Sequence, residues 1–234
     1  MNNSNAVELV IESATSFYSD LKKDENGRYR SWEHCYYCFC KERTDKKWDN
    51  DYMNLQLAFY LASWGMYRGS SFLLQKDYKI HEPVVKEILK NKYESLVGIN
   101  CSEYKKEGNW KLLEELSDFI KEYYDYVRKD IKGQDLKSGI SDTLITKILM
   151  GTLGCVPAYD RYFIDGIKKQ KVATGNYNKK SIFQLVDFYE KNMNKLETVR
   201  EEMKVYELPY PQMKVLDMGF WQIGKKRNKG SALI

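Results

Sequence analysis

Apolar residues recur every three or four positions along almost the whole chain, which is the spacing of an amphipathic α-helix. The first stripe runs from Val7 to Leu21 and ends in a polar turn at residues 24–27. The sequence contains no run in which β-branched and polar residues alternate with a period of two, as they do in half-buried strands. The pattern therefore predicts an all-α protein, a compact multi-helix globular domain.

Capping residues mark where several further helices begin. Ser31 suits the N-cap of a second helix, and Pro83 suits the first turn of another. Gly65 and Gly69 are points of close packing or a break inside a long apolar stretch. The predicted helices after the first cover residues 31–43, 50–75 (one helix or two), 82–98, 109–127, 141–154, 182–203 and 213–223, with a loop over residues 132–139.

Composition supports one folded domain over residues 1–234. The chain is 43% hydrophobic and 14% aromatic, which is ample for a sizeable core. Its formal net charge of +5 is too small to require a polyanionic partner by itself. The beginning of the chain lacks a secretory signal, no apolar run approaches the length of a membrane span, and the five cysteines are an odd number. We expect a cytoplasmic protein with no membrane partner and no disulfide framework.

His34, Cys35, Cys38 and Cys40 lie close enough in sequence to suggest soft metal ligands. On a helix, however, Cys35 and Cys38 share a face while Cys40 is turned well away from Cys35. We therefore expect buried cysteines, with neither a metal site nor a cofactor.

Residues 138–163 contain the pattern that points most directly to chemistry. Gly139, Ile140 and Ser141 form a tight turn before an apolar helix. Such a turn exposes backbone N–H groups at the N-terminus of the second helix, where a phosphate can bind without a side-chain charge. The sequence therefore predicts a phosphate-binding turn.

This turn, the apolar helix over residues 144–151 and the run of residues 156–160 (Val-Pro-Ala-Tyr-Asp) resemble the helix-hairpin-helix DNA glycosylases of the endonuclease III superfamily. Members of that family carry a Gly-hydrophobic-Gly turn, followed at about this distance by a catalytic aspartate. Asp160 stands at the matching position. The stretch over residues 54–74 is similar to the family's early buried helix and its polar, substrate-facing loop. The resemblance also implies that the N-terminal helix packs with the helices of residues 180–222.

The chain departs from the family pattern at two positions of the turn and its helix. Ser141 replaces the second turn glycine, and Thr143 stands where bifunctional members have their Schiff-base lysine. Lys147 lies one helical turn later and is expected to point elsewhere. No four-cysteine cluster loop is present. The resemblance thus implies an N-glycosylase-like hydrolase that binds nucleic acid, with no lyase activity and no cofactor.

Trp64, Tyr67 and Tyr159 are candidate walls for the pocket that receives a flipped base, and Arg68 is a candidate ligand for a phosphate or carboxylate. The alternative for residues 64–71 is a helix-packing seam in which Arg68 forms a structural salt bridge. The alternative for Asp160 is a cap on a helix that begins near residue 158, or an ion pair with a neighbouring cation.

Three classes of function remain open at this level. The first is a nucleic-acid or nucleotide-like ligand-binding protein, monofunctional and glycosylase-like. The second is a non-enzymatic helical interaction or accessory factor. The third is a small-molecule enzyme that uses the pocket of residues 64–71. The segment 224–234 carries four basic residues, Lys225, Lys226, Arg227 and Lys229. We interpret it as a solvated tail that adds at most non-specific attraction for phosphate. The sequence pattern specifies no oligomeric state.

Overall fold

Helices make up most of the chain that the computed structural model describes, which is residues 3–47, 49–131 and 139–230. The α-helices are α1 (Asn3–Lys23), α2 (Ser31–Asp45), α3 (Asn50–Ser63), α4 (Glu82–Ile88), α5 (Glu107–Lys129), α6 (Asp142–Thr152), α7 (Arg161–Lys169), α8 (Lys179–Lys191), α9 (Met193–Arg200) and α10 (Gln212–Gly230). Short 3-10 helices join them at Arg28–Arg30, Phe72–Gln75, Tyr78–His81, Asn91–Leu96 and Cys101–Glu103. The all-α prediction is confirmed.

Several predicted boundaries are wrong because apolar spacing continues through the breaks. The helix predicted over residues 182–203 is interrupted at Asn192, which ends α8 and precedes α9. The stripe predicted over residues 82–98 is α4 followed by a 3-10 helix, and it closes at Gly98 in the left-handed conformation (φ 56°). A two-residue hairpin, β1 (Lys204–Val205) paired antiparallel with β2 (Leu208–Pro209), was not predicted at all.

Helix ends also differ from the expectations. Ser31 is the first residue of α2, and Arg30 precedes it without a side-chain cap. The long apolar stretch breaks after α3, where Gly65 has φ 78°, so the break considered at this glycine is present. Helix α10 continues to Gly230, so the part of the predicted basic tail before residue 231 is helical. The predicted loop lies outside the described residues except for Gly139, and so do residues 231–234.

Helix α10 lies between α1 and α7 and is buried along most of its length. Glycines allow this close approach, because a Cβ at Gly219 would meet Val10 of α1 and a Cβ at Gly166 of α7 would overlap the backbone carbonyl of Phe220. The contact between α7 and α10 places the start of α7 beside the middle of α10. Among the helices of the described residues, none combines the length and the apolarity needed to cross a bilayer.

Gly166→Ala is expected to destabilise the protein by about 1–3 kcal/mol, because the added methyl group must push the backbone of α10 away from α7. The change is measured by urea unfolding. Gly108→Ala on α5 is the matched control, since a Cβ there meets nothing within 4 Å, and it should not destabilise the protein, because alanine favours a helix more than glycine does. Equal effects of the two substitutions would contradict the close packing of α7 on α10.

Candidate ligand-binding cleft

A cleft of about 870 Å³ opens where five separate parts of the chain meet. They are the 3-10 helix before α2, the end of α3 with the turn after it, the first half of α6, the start of α7 and the second half of α10. The lining residues are Arg28, Tyr29, Ala62, Trp64, Gly65, Met66, Tyr67, Arg68, Thr143, Lys147, Asp160, Arg161, Tyr162, Trp221 and Lys225. Of the predicted site residues, the structure therefore brings Trp64, Tyr67, Arg68 and Asp160 together.

Asp160 is held by hydrogen bonds to both of its carboxylate oxygens. It is the N-cap of α7, where Oδ1 accepts from the amides of Tyr162 (3.0 Å) and Phe163 (3.1 Å). Oδ2 accepts from Nε1 of Trp221 (3.2 Å) and lies 3.6 Å from Nζ of Lys147. The two alternatives considered for Asp160, a helix cap and an ion pair, are thus both present. The helix that it caps, α7, begins at Arg161 rather than near residue 158. The carboxylate lies in the cleft wall, with 15% of the side chain exposed.

Lys147 lies beside Asp160, so the expectation that it points elsewhere is wrong. It follows Thr143 by four residues on α6, and residues at this spacing share one face of a helix. Both line the cleft. Nζ of Lys147 donates to the carbonyl of Trp64 (2.7 Å), and the side chain is 6% exposed. The lysine therefore links the turn after α3 to the start of α7.

Burial changes the proton affinity of this pair. Desolvation raises the pKa of the Asp160 carboxyl, while the Lys147 ammonium and the Phe163 amide oppose that rise. Desolvation likewise lowers the pKa of Lys147, and the Asp160 carboxylate opposes the fall. Asp160 therefore holds its proton to a higher pH than an ordinary aspartate does.

The remaining charges that line the cleft are cationic. Arg28, Arg68, Arg161 and Lys225 form no ion pair with any carboxylate of the described residues, so the salt bridge considered for Arg68 is not formed there. Asp160 is the acidic residue in the described lining. The cleft thus presents several positive charges that the protein itself does not neutralise.

Aromatic rings form a continuous wall between these cations. The ring centroid of Tyr29 lies 4.9 Å from that of Trp64 and 5.7 Å from that of Trp221, which in turn lies 5.4 Å from Tyr162. The cations stack on the same rings, since Lys225 lies 4.6 Å from the Trp221 centroid. Aromatic faces and cations together suit a ligand that is flat in one part and anionic in another.

A second, deeper ion pair supports the floor of the cleft. Nζ of Lys214 lies 2.8 Å from Oδ2 of Asp217, and the two side chains are 3% and 5% exposed. Oδ1 of Asp217 accepts from the amide of Ala158 (3.0 Å), just before Asp160. Nζ of Lys214 lies 5.1 Å from the ring centroid of Trp64. The pair therefore anchors both the segment before the carboxylate and the aromatic wall.

Tyr67 reaches from the cleft to a buried histidine. Its hydroxyl lies 2.7 Å from Nε2 of His81, and Nδ1 of the same ring lies 2.5 Å from the hydroxyl of Tyr124. Burial lowers the pKa of His81 from 6.5 to about 3, so the imidazole is neutral at neutral pH. The lowered value also makes the stability of the fold depend on pH.

Acidification from pH 7 to pH 5 is expected to cost about 2 kcal/mol of stability through His81 alone. In the unfolded chain the His81 imidazole binds a proton below its ordinary pKa of 6.5. In the folded protein it does so only when the pH falls to about 3. The contribution is therefore complete above pH 6.5 and is lost as the pH falls from that value towards 3. Urea unfolding of wild type and His81→Gln at both pH values isolates this effect, because the contributions of other groups cancel in the difference. The same pH dependence in both proteins would contradict a neutral, buried His81.

Two predicted parts of the site lie outside the cleft. The amide of Ile140 donates to Oδ1 of Asp125 (2.8 Å), so an internal carboxylate already occupies the turn. Ser141 caps α6 by accepting from the amide of Leu144. Tyr159 is not a cleft wall: it is 1% exposed, and its hydroxyl bonds with that of Ser181 (2.8 Å). Phosphate binding by Gly139, Ile140 and Ser141 stays a prediction, and a phosphate bound there would have to displace Asp125.

The cysteine cluster offers no metal site in the part of the chain that the structure describes, since no three potential ligands converge there. Cys35 and Cys38 are buried. Burial raises the pKa of both thiols, which disfavours the thiolate form that binds metal.

Sequence reasoning missed the residues that other elements bring to the cleft: Arg28, Tyr29, Lys147, Arg161, Tyr162, Trp221 and Lys225. The spacing of four residues on one helix could have placed Lys147 on the face of Thr143, and Lys225 on the face of Trp221. No local pattern connects Arg28 or Trp221 to Asp160.

Comparison of the chain with protein-family models, with curated proteins and with solved structures finds no match. What is established is an all-α protein whose cationic and aromatic cleft contains one fixed carboxylate in its described lining. The function is therefore argued from the cleft.

Proposed function

We propose that this protein binds nucleic acid or a nucleotide-like ligand in the cleft and hydrolyses an N-glycosidic bond there, with a fold of the helix-hairpin-helix glycosylase type. The observation that carries the proposal is the position of Asp160. Its carboxylate is held by two amides and an indole N–H in the wall of a cleft whose other lining charges are cationic.

The cations and rings support the class of ligand. Arginine presents a planar fork that matches phosphate oxygens, and Arg28, Arg68 and Arg161 have no internal carboxylate partner among the described residues. A base that stacks on an aromatic side chain gains about 1–3 kcal/mol. A cleft of about 870 Å³ is within the size range of small-molecule sites and accommodates a nucleotide unit. In a duplex, the target base would have to be flipped out to enter.

The proposed reaction needs one carboxylate and one water molecule. As the bond between C1′ and the base nitrogen breaks, its electron pair leaves with the base, which takes up a proton from solvent. The sugar develops oxocarbenium character, and the ionised Asp160 stabilises that charge. Water then adds to C1′ and transfers one proton to Asp160, which releases it to solvent and is ionised again. The sugar therefore gains a hydroxyl group and the free base is released.

Lys147 acts in this proposal as a positioning residue. Its ammonium lies 3.6 Å from Oδ2 of Asp160 and donates to the carbonyl of Trp64. It opposes the rise in the pKa of Asp160 that burial causes, and so favours the ionised form that the reaction requires. No covalent bond to the lysine is needed, which agrees with an activity that lacks the lyase step.

The salt dependence of DNA binding tests the ligand class. Wild type should bind single-stranded oligonucleotides at low salt, with affinity that falls steeply as salt rises. The double variant Arg28→Gln, Arg161→Gln should bind about tenfold or more weakly, and its log–log salt slope should be shallower by about 0.7 for each arginine removed, as expected for a single strand. Fluorescence anisotropy measures both quantities.

Lys111→Gln on the exposed face of α5 is the control, since it removes a cation that does not line the cleft. It should leave affinity and slope nearly unchanged. Failure of wild type to bind DNA, RNA or a free nucleotide at low salt would refute the ligand class. An unchanged slope in the double variant would place nucleic-acid binding on another surface.

A further inference from the structure

Two hydrogen bonds link the side chains of Tyr67, His81 and Tyr124, and the surroundings of these residues determine which group is the donor in each bond. His81 is 0% exposed and neutral, so its ring carries one N–H, which lies on either Nδ1 or Nε2. Each ring nitrogen faces one tyrosine hydroxyl. Burial raises the pKa of Tyr67 to about 12 and that of Tyr124 well above 10.0, so both phenols are protonated at neutral pH. Two hydrogen-bond arrangements are therefore available.

The surroundings of Tyr124 select one of them. The Tyr124 side chain is 0% exposed. Within the described chain, its hydroxyl forms a hydrogen bond with Nδ1 of His81. If Nδ1 carried the proton, the hydroxyl hydrogen of Tyr124 would be buried without an acceptor, at a cost of about 1–3 kcal/mol. Donation from Tyr124 to Nδ1 avoids this cost and places the imidazole proton on Nε2.

The same choice determines what Tyr67 does at the cleft. With the proton on Nε2, the ring donates to the hydroxyl oxygen of Tyr67. The hydroxyl hydrogen of Tyr67 then finds no protein acceptor among the described residues. Tyr67 lines the cleft, so the acceptor for this hydrogen would be a water or a ligand in the cleft that reaches the hydroxyl. The Tyr67 oxygen already accepts from Nε2–H, so the part of the hydroxyl that still lacks a protein partner is its hydrogen.

We propose that Tyr67 is a hydrogen-bond donor to the ligand, oriented by His81 and Tyr124 as positioning residues, and that its acceptor is a carbonyl oxygen or an unprotonated ring nitrogen of a nucleobase, groups that an abasic site lacks. The assignment of a base rests on the proposed function of the cleft. The direction of donation does not, because it follows from the burial of Tyr124.

The direction is tested on the free wild-type protein. A long-range proton–nitrogen NMR correlation spectrum identifies which ring nitrogen of His81 carries the proton. We expect the Nε2–H tautomer at neutral pH. In Tyr124→Phe the donor to Nδ1 is lost, and we expect a population of the Nδ1–H tautomer to appear. The Nδ1–H tautomer in wild type would overturn the proposal whatever the protein binds.

The selection of an acceptor is tested with two single-stranded probes of equal length, an oligothymidylate, whose bases carry carbonyl acceptors, and an abasic oligomer. Tyr67→Phe should weaken binding of oligothymidylate by about threefold to tenfold, as expected for one hydrogen bond, and should leave binding of the abasic oligomer unchanged. Tyr124→Phe should also weaken the binding of oligothymidylate, although it removes no atom of a residue that lines the cleft.

Tyr123→Phe is the matched control, because its hydroxyl donates to the carbonyl of Ile80 (2.7 Å) and does not contact His81. It should leave the binding of both probes and the His81 tautomer unchanged. Oligothymidylate binding by Tyr67→Phe with wild-type affinity would overturn the role of Tyr67. Failure of wild type to bind either probe would refute the proposed function and the assignment of a base together, while the NMR spectrum would still decide the direction of donation.

Discussion

Asp160→Asn is expected to slow N-glycosidic hydrolysis by about two to four orders of magnitude while the cap of α7 stays in place. The asparagine carbonyl can still accept from the amides of Tyr162 and Phe163, as Oδ1 does in wild type. A neutral amide, however, neither stabilises an oxocarbenium-like charge nor takes a proton from water. Release of free base under single-turnover conditions, from oligonucleotides that carry uracil or alkylated bases, measures the effect.

Asp142→Asn is the matched control for this experiment. Asp142 is exposed in the first turn of α6 and does not line the cleft, so its replacement should leave the rate nearly unchanged. Thermal unfolding of both variants shows whether the cap is preserved. If Asp160→Asn released base at the rate of an active wild type, Asp160 would be a structural cap and ion-pair partner only. If wild type released no base from any substrate, the hydrolytic proposal would fail, although DNA binding would still be tested separately.

Lys214→Met is expected to destabilise the fold by about 3–5 kcal/mol, because it leaves Asp217 buried without its counter-ion. The loss should also disturb the cleft, since Asp217 holds the amide of Ala158 and Lys214 lies against Trp64. Combining Lys214→Met with Asp217→Asn should recover most of the stability. The asparagine carbonyl can still accept from Ala158, and no charge remains buried. Urea unfolding of the two single variants and the double variant measures the coupling.

Lys195→Met provides a control at an exposed ion pair. Lys195 and Glu8 are 2.5 Å apart, but their side chains are 54% and 58% exposed. Water screens such a pair, so its loss should cost about 1 kcal/mol or less. Equal effects of Lys214→Met and Lys195→Met would contradict the buried pair as an anchor. A double variant no more stable than Lys214→Met would show that packing of the lysine, rather than charge, is what was lost.

The local pattern was a good guide to where helices form and to part of the site. The stripe from Val7 to Leu21 is α1, and the helix predicted from residue 141 is α6, which Ser141 caps. Asp160, Trp64, Tyr67 and Arg68 meet in one cleft because each lies at the end of a helix or in the turn after it. The pattern failed at Asn192, where the apolar period continues across the break between α8 and α9.

By itself, the sequence determined the helical class and the local caps. Both depend on interactions between residues three or four positions apart, which a periodic pattern records. Only the tertiary structure decided the cleft. Asp160 and Trp221, which are hydrogen-bonded, are 61 positions apart, and they meet because Gly166 lets α7 and α10 approach closely. The same structure placed Asp125 on the predicted phosphate turn and turned Tyr159 into the core. Both outcomes depend on which helices pack together, which spacing along one helix does not specify.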